Sequence, residues 1–282
     1  MGVSSKPTSA PIRRRPAWLR ALGHDEPPQQ IRIAGKPYEL VRKYKHDSWA
    51  ATSLYEDAEG QRAIVKMSRR SSLFGLPMRW AGKLLTRKER RVLQAMVEAP
   101  GIPRDLGMVE AEGENPDTIA ARQYIAGVTL DQHKGPVRDD FFDMLDYLLS
   151  TLHREGFAYV DMNKADNILV GDDGRPYLID YQIHHGKGVP MKKLWWPARM
   201  VLKRFQVADR YHLAKHKLRY RPDLYPGGEA ELDRLRPWSV RVHRAVTRWP
   251  QRLRRGLLVK LRVRDRGGRA DSELPADGTP TT

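Results

Sequence analysis

Two short stretches hold more proton-accepting and charge-bearing side chains than their apolar surroundings would lead one to expect. The first is Tyr159-Val160-Asp161-Met162-Asn163-Lys164-Ala165-Asp166-Asn167-Ile168-Leu169-Val170, and the second is Leu178-Ile179-Asp180-Tyr181. Carboxylates take up protons or bind hard cations, an amide oxygen can join them as a ligand, and an ammonium group offsets anionic charge. Further upstream stand Ala63-Ile64-Val65-Lys66 and Lys88-Glu89-Arg90-Arg91-Val92-Leu93. Taken singly, each residue has an ordinary explanation: Lys66 as a solvated strand charge, Glu89 as a surface helix residue, Asp161 as a cap, Asp172-Asp173 as turn chemistry.

The elements that must position these groups can be read from pattern and punctuation. Strand-like runs Ile31 to Ile33, Tyr38 to Lys43, Ala50 to Tyr55 and Arg62 to Met67 are separated by turn residues, which predicts an antiparallel meander. A basic linker with Gly75 and Pro77 leads into a helix over about Arg79 to Val97, and short strands are expected near Leu106 to Ala111 and Thr118 to Tyr124. Gly127 reads as a hinge, followed by a helix capped by Asp139 and carrying Phe141, Phe142, Leu145, Leu148, Leu149 and Leu152. Strands Ile168 to Val170 and Pro176 to Ile179, joined by Gly171-Asp172-Asp173-Gly174, read as a hairpin. Such a hairpin would hold Asn167 and Asp180 side by side although they are thirteen residues apart in sequence.

The Asp161-to-Asn167 loop, the hairpin and Asp180-Tyr181 together resemble the catalytic loop and metal-binding hairpin of the protein-kinase-like superfamily. Ala63 to Lys66 resembles its third-strand lysine element, and Lys88 to Leu93 resembles its glutamate-bearing helix. The resemblance implies an α+β, two-lobed fold: a small antiparallel sheet lobe with one main helix, and a larger, mostly helical lobe. It further implies ATP and Mg²⁺ as cofactors, Asp161 as proton acceptor and Lys164 as neutraliser of the transferred phosphoryl group. Asn167 and Asp180 would be the metal ligands, and Lys66, Glu89, Gln123, Tyr124 and Ile125 the nucleotide-binding set. A buried lysine needs a counter-charge to stay protonated, which is the office expected of Glu89.

Several positions depart from that family. Lys45-His46-Asp47-Ser48-Trp49-Ala50 stands where a glycine-rich phosphate loop is expected, and Tyr159-Val160-Asp161 replaces His-Arg-Asp. One extra residue precedes Lys164, making Asp166 a rival of Asn167 as metal ligand, and Asp180-Tyr181-Gln182 lacks the flexible glycine. With no Ala-Pro-Glu element there is little room for a peptide-docking platform. The compact pattern is closest to bacterial lipopolysaccharide-core (Kdo or heptose) kinases and to RIO-like atypical serine/threonine kinases. Asp209 either bonds the catalytic-loop backbone, as in the family, or caps a helix.

Composition bounds the remaining readings. Zero cysteines exclude disulfides, thiolate metal sites and cysteine nucleophiles. No apolar run approaches the length of a membrane span, no signal-peptide pattern follows the first arginines, and Lys6 breaks the myristoylation pattern, so a cytoplasmic location is expected. The net charge of +17 is concentrated between Lys187 and Arg264, where 22 Lys/Arg face 5 Asp/Glu. This points to an anionic partner: a glycan, lipid or protein hydroxyl acceptor, with peripheral contact to the acidic inner face of the cytoplasmic membrane. No base-reading motif supports nucleic acid. Trp238, Trp249, Leu253, Leu257 and Leu258 among Arg241, Arg244, Arg248, Arg252, Arg254 and Arg255 suggest an amphipathic helix broken near Pro250. The histidines at 184, 185, 212, 216 and 243 lack metal-ligand spacing and are read as surface or core residues. The expected organisation is a flexible Pro-rich arm over 1–30, a β-rich lobe over 31–124, a helical lobe with basic tail helices over 125–266, and a disordered tail over 267–282.

Overall fold

A computed structural model describes residues 16–73 and 75–237. The expected tail helix around Pro250 and the disordered segment 267–282 lie outside the described residues, as does the first half of the N-terminal arm. The chain is a mixed α/β structure with a six-stranded antiparallel sheet and, among the described residues, four α-helices.

In chain order the first elements are β1 (Gln30–Ile33), β2 (Lys36–His46), β3 (Ala50–Glu56), β4 (Arg62–Ser68), α1 (Arg79–Ala95), β5 (Val109–Glu110) and β6 (Ile119–Gln123). The sheet order is β5-β1-β2-β3-β4-β6. β4 lies between β3 and β6 and is covered on both faces, so six of its seven residues are buried and its sequence is a nearly continuous apolar run. Ala63, Val65 and Met67 point into a core shared with Ile31, Ile33, Tyr55 and Ala121. Strand alternation therefore sends Ile64 and Lys66 to the opposite face, towards α1. Gly82 lets α1 approach, since a Cβ there would meet the Arg69 carbonyl oxygen at 2.1 Å. Thr86 on α1 donates to Ser68 Oγ at 2.9 Å.

The second half continues with β7 (Gly127–Thr129), α2 (Phe141–Arg154), β8 (Phe157–Ala158), β9 (Ile168–Gly171), β10 (Pro176–Leu178), β11 (His185–Gly186), α3 (Trp196–Tyr220) and α4 (Gly228–Leu235). β9 pairs with both β10 and β7, and β8 pairs with β11. The second core gathers Phe141, Leu145, Leu149 and Leu152 of α2 with Ile168 and Leu178 of the hairpin. Val92, Leu93 and Met96 belong to this core, so the end of α1 and the residue after it tie the sheet half to the helical half. Gly127, expected as a hinge, starts β7 so close to β9 that a Cβ would lie 2.2 Å from the Val170 carbonyl oxygen, and tight packing accounts for the glycine.

Two expectations are corrected. Residues 16–30 are not a flexible arm: Ala21 and Leu22 are buried, and the Ala21 N–H donates to the Asp47 carbonyl at 2.8 Å. Arg69, just after β4, is 1% exposed and donates to the carbonyls of Trp18, Ser48, Ser71 and Ser72 at 2.8 to 3.0 Å. It staples the N-terminal segment and the β2–β3 turn to the end of β4. Asp139 does not cap α2, because its carboxylate is taken by Arg221 at 2.7 Å.

Candidate active site

Lys66 sits at the junction of three elements. Its ammonium lies 3.2 Å from Glu89 Oε2 on α1 and donates to Asp180 Oδ1 at 3.0 Å, across 114 residues of sequence. Lys66 and Glu89 are buried, at 8% and 1% exposure. Burial pushes the Lys66 ammonium down, but Asp180 and then Glu89 outweigh it and hold the group cationic, above its usual range. The Glu89 carboxyl is pushed up by burial against the pull of Lys66. Asp180 keeps about a third of its side chain open to solvent, and although burial raises its pKa, Lys66 and the Gln182 N–H bring it down to about 2.

Beside this cluster lies the Asp161 loop. Asp161 Oδ2 accepts from Lys164 Nζ at 2.6 Å and from Asn167 Nδ2 at 2.8 Å. Asp161 and Asn167 are buried, whereas half of the Lys164 side chain is exposed. Burial lowers the Lys164 pKa; Asp161, then Asp166 and Asp180, raise it above its usual range, so one ammonium group feels both the loop carboxylate and Asp180. Asp166 is exposed, while the N–H of Asn167 bonds the Lys164 carbonyl at 3.3 Å and its side chain turns inward.

The loop geometry is enforced from beneath. Val160 and Asp180 both adopt left-handed φ, 70° and 69°, a conformation that is costly for a β-branched residue and uncommon for aspartate. Asp209, fully buried in the middle of α3, accepts the N–H groups of Tyr159 at 2.7 Å and Val160 at 2.8 Å and meets His153 Nε2 at 3.0 Å. Of its two expected roles, helix cap and loop anchor, the position inside α3 leaves the anchor. Tyr159 donates its hydroxyl to the Ile179 carbonyl and packs edge-on against Tyr181, tying the Asp161 loop to the residue before Asp180.

The sequence reading missed two cations at this site. Lys45, in the segment without glycines, pairs with Asp47 at 2.9 Å and also lowers the Asp180 pKa from across the cleft. The turn itself is closed: Asp47 Oδ1 accepts the amides of Trp49 at 2.7 Å and Ala50 at 2.9 Å, and the Asp47 N–H bonds the Ala50 carbonyl. Arg122 stands opposite Ile64 in the β4–β6 register, on the Lys66 face, within electrostatic reach of Glu89 and Asp180. Arg122 is on a different strand from Lys66, opposite Ile64, so only the β4–β6 register brings it to the site.

Gln123, Tyr124 and Ile125, the other expected nucleotide-binding residues, stand at and just after the end of β6. Gln123 and Ile125 line a groove of about 850 Å³ with Gly101, Met144, Tyr147 and Tyr177, and none of Lys66, Glu89, Asp161 or Asp180 lines it. Tyr124 stacks near Arg62, with the guanidinium 5.9 Å from its ring.

The donor set suits a hard divalent cation. Asn167 spends its amide nitrogen on Asp161, and Asp180 spends only Oδ1 on Lys66, which leaves the Asn167 amide oxygen and Asp180 Oδ2 as oxygen ligands. Among the described residues no group of three or more His, Asp or Glu forms a metal cluster.

No family model matches the chain, and no curated protein matches it. Among solved structures it is similar to the Rio2 kinase from Chaetomium thermophilum, with a TM-score of 0.47, 12% identity, and 64% of this chain and 58% of that chain covered. It is also similar to the Rio2 kinase-ADP/Mg²⁺-phosphoaspartate complex from the same organism, with a TM-score of 0.44, 15% identity, and 64% and 56% covered. The chain thus spans under two thirds of the length of these kinases.

Proposed function

We infer that this protein is an ATP-dependent phosphotransferase that moves the γ-phosphate to a hydroxyl group, on a sugar or lipid-linked glycan or on a serine or threonine side chain. The observation that carries the reading is the Lys66 ammonium held between Glu89 and Asp180, beside an Asp161 carboxylate oriented by Lys164 and Asn167. In this reading Lys66 binds nucleotide phosphate oxygens, and Asp161 accepts the acceptor hydroxyl's proton as its oxygen bonds the γ-phosphorus and the bond to the β-phosphate oxygen breaks. Lys164, half exposed and close to Asp161, offsets the charge on the transferred group. A divalent cation held by Asn167 and Asp180 would neutralise phosphate charge. The glycan acceptor is favoured by the chain's basic character.

A second reading, a binding module without turnover, draws support from the closed Asp47 turn, whose Trp49 and Ala50 amides are already spent. Labelled ATP and Mg²⁺, incubated with and without a lipopolysaccharide extract, separate the two. Transfer that falls on the order of 10²- to 10⁴-fold in Asp161→Asn supports catalysis. Nucleotide binding that persists with no transfer by the unmodified chain selects the binding module.

A further inference from the structure

We propose that the outer face of the first half of α3 is a docking surface for an anionic lipid bilayer. Over its first half the helix buries Leu202, Gln206 and Asp209 on one side; only further on, at Tyr211, is the other side covered, by Leu232 of α4. Trp196, Met200, Lys203 and Val207, spaced four, three and four residues apart, form a second stripe on the opposite side. Trp195 and Trp196 are 72% and 70% exposed, and Met200 and Val207 are 46% and 43% exposed. Two indoles at the mouth of a helix, continued by aliphatic side chains, make an apolar surface that a monomeric protein seldom leaves open to water.

Charge selects the occupant. From Gln182 to Ala208 there are six Lys/Arg (187, 192, 193, 199, 203 and 204) and no Asp or Glu. A second copy of this face would repel it. So would the chain's own segment 238–266, which carries ten Lys/Arg against one acid. An anionic partner remains, and the Trp, Met and Val side chains suit acyl chains beneath a headgroup layer better than base edges or phosphates alone. The face is linked to the site without depending on phosphoryl transfer: α3 packs on β8, which ends three residues before Asp161.

The test is co-sedimentation of the full chain with phosphatidylcholine vesicles, alone or mixed with phosphatidylglycerol, across a salt series. Binding to the anionic vesicles only, weakening with salt, is expected. K192S/K193S should reduce it by about fivefold per lysine, and W195S/W196S by about tenfold or more, with melting temperature and nucleotide binding unchanged. Equal binding by W195S/W196S and the unmodified chain would assign the effect to the basic tail and overturn the proposal. It also fails if neutral vesicles bind as well, if the tryptophan pair governs RNA binding and not vesicle binding, or if it governs self-association alone.

Discussion

Lys66 and Lys164 both feel the Asp180 carboxylate and are held in different ways. Lys66 is enclosed between two carboxylates from α1 and the segment after β10, and Glu89 beside it is almost wholly shielded from water. Lys164 reaches one carboxylate three residues away and leaves half its side chain in solvent. A buried pair is worth little compared with an apolar substitute, but removing one partner strands the other charge; an exposed pair loses almost nothing when broken. Lys66 is thus part of the architecture, whereas the half-exposed Lys164 has room to move; in the proposed reading the first holds the nucleotide and the second follows the transferred group.

Paired variants sharpen this contrast most strongly. K66M should lower unfolding free energy by roughly 3 to 5 kcal/mol, because Glu89 is left buried without its cation. K164M should cost less, about 1 to 2 kcal/mol, because Lys164 is half exposed and the buried Asp161 carboxylate keeps its bond from Asn167. Both should lose transfer activity. Chemical denaturation of the two variants beside the unmodified chain makes the check. A cost below about 1 kcal/mol for K66M would break the comparison and point to Arg122, which also acts on Glu89, as a substitute counter-charge.

How much of this was legible follows the range of the interaction that fixes each residue. The strands, α1, α2 and the β9–β10 hairpin come from local periodicity and turn chemistry: Asp173, for example, accepts the Arg175 N–H and the Tyr177 hydroxyl across the turn. The meeting of Lys66, Glu89 and Asp180 was readable because β4, α1 and the hairpin each announce themselves. Arg69 was not readable as a buried staple, since nothing local shows that carbonyls from residues 18, 48, 71 and 72 converge on one guanidinium. The packing of residues 16–30 was hidden for the same reason, and composition alone made that stretch look like an arm. Tyr159 read as a departure until the Ile179 carbonyl was seen to need its hydroxyl.

Directly after Asp180 runs the Tyr181–Gly186 segment, and His184 reports how tightly it is packed. Its imidazole is 1% exposed, stacks edge-on with Phe157, and donates from Nδ1 to the Tyr181 carbonyl at 2.7 Å. Burial pushes its pKa from the ordinary value down to about 4. The unfolded chain therefore takes the proton first, so the stabilisation is complete above about pH 6.5 and is lost as pH falls toward 4. Between pH 7 and pH 5 the loss amounts to about 2 kcal/mol. His46, pushed down to about 4 by burial and by Arg20, adds to the same slope. H184N should remove about half of the acid sensitivity in melts at the two pH values; an unchanged slope would mean that the Tyr181 segment opens before the proton arrives.

The smallest effect tests whether the turn over the cleft resembles the open Lys164 side or the locked Lys66 side. A glycine-rich loop holds phosphates through free backbone amides, but here Asp47 has already accepted those of Trp49 and Ala50. The remaining device is Lys45, whose ammonium pairs with Asp47 and reaches Asp180 electrostatically. On the proposed reading, a side-chain cation in place of an amide cradle would contribute to binding the nucleotide more than to the transition state, since Lys45 pairs with Asp47 and not with Asp161. K45A should therefore raise the KM for ATP by about tenfold with kcat nearly retained, and K45R should restore most of the loss. A fall in kcat at constant KM would instead put Lys45 next to the phosphoryl group in flight, and the turn would then belong with Lys164 as part of the transferring machinery.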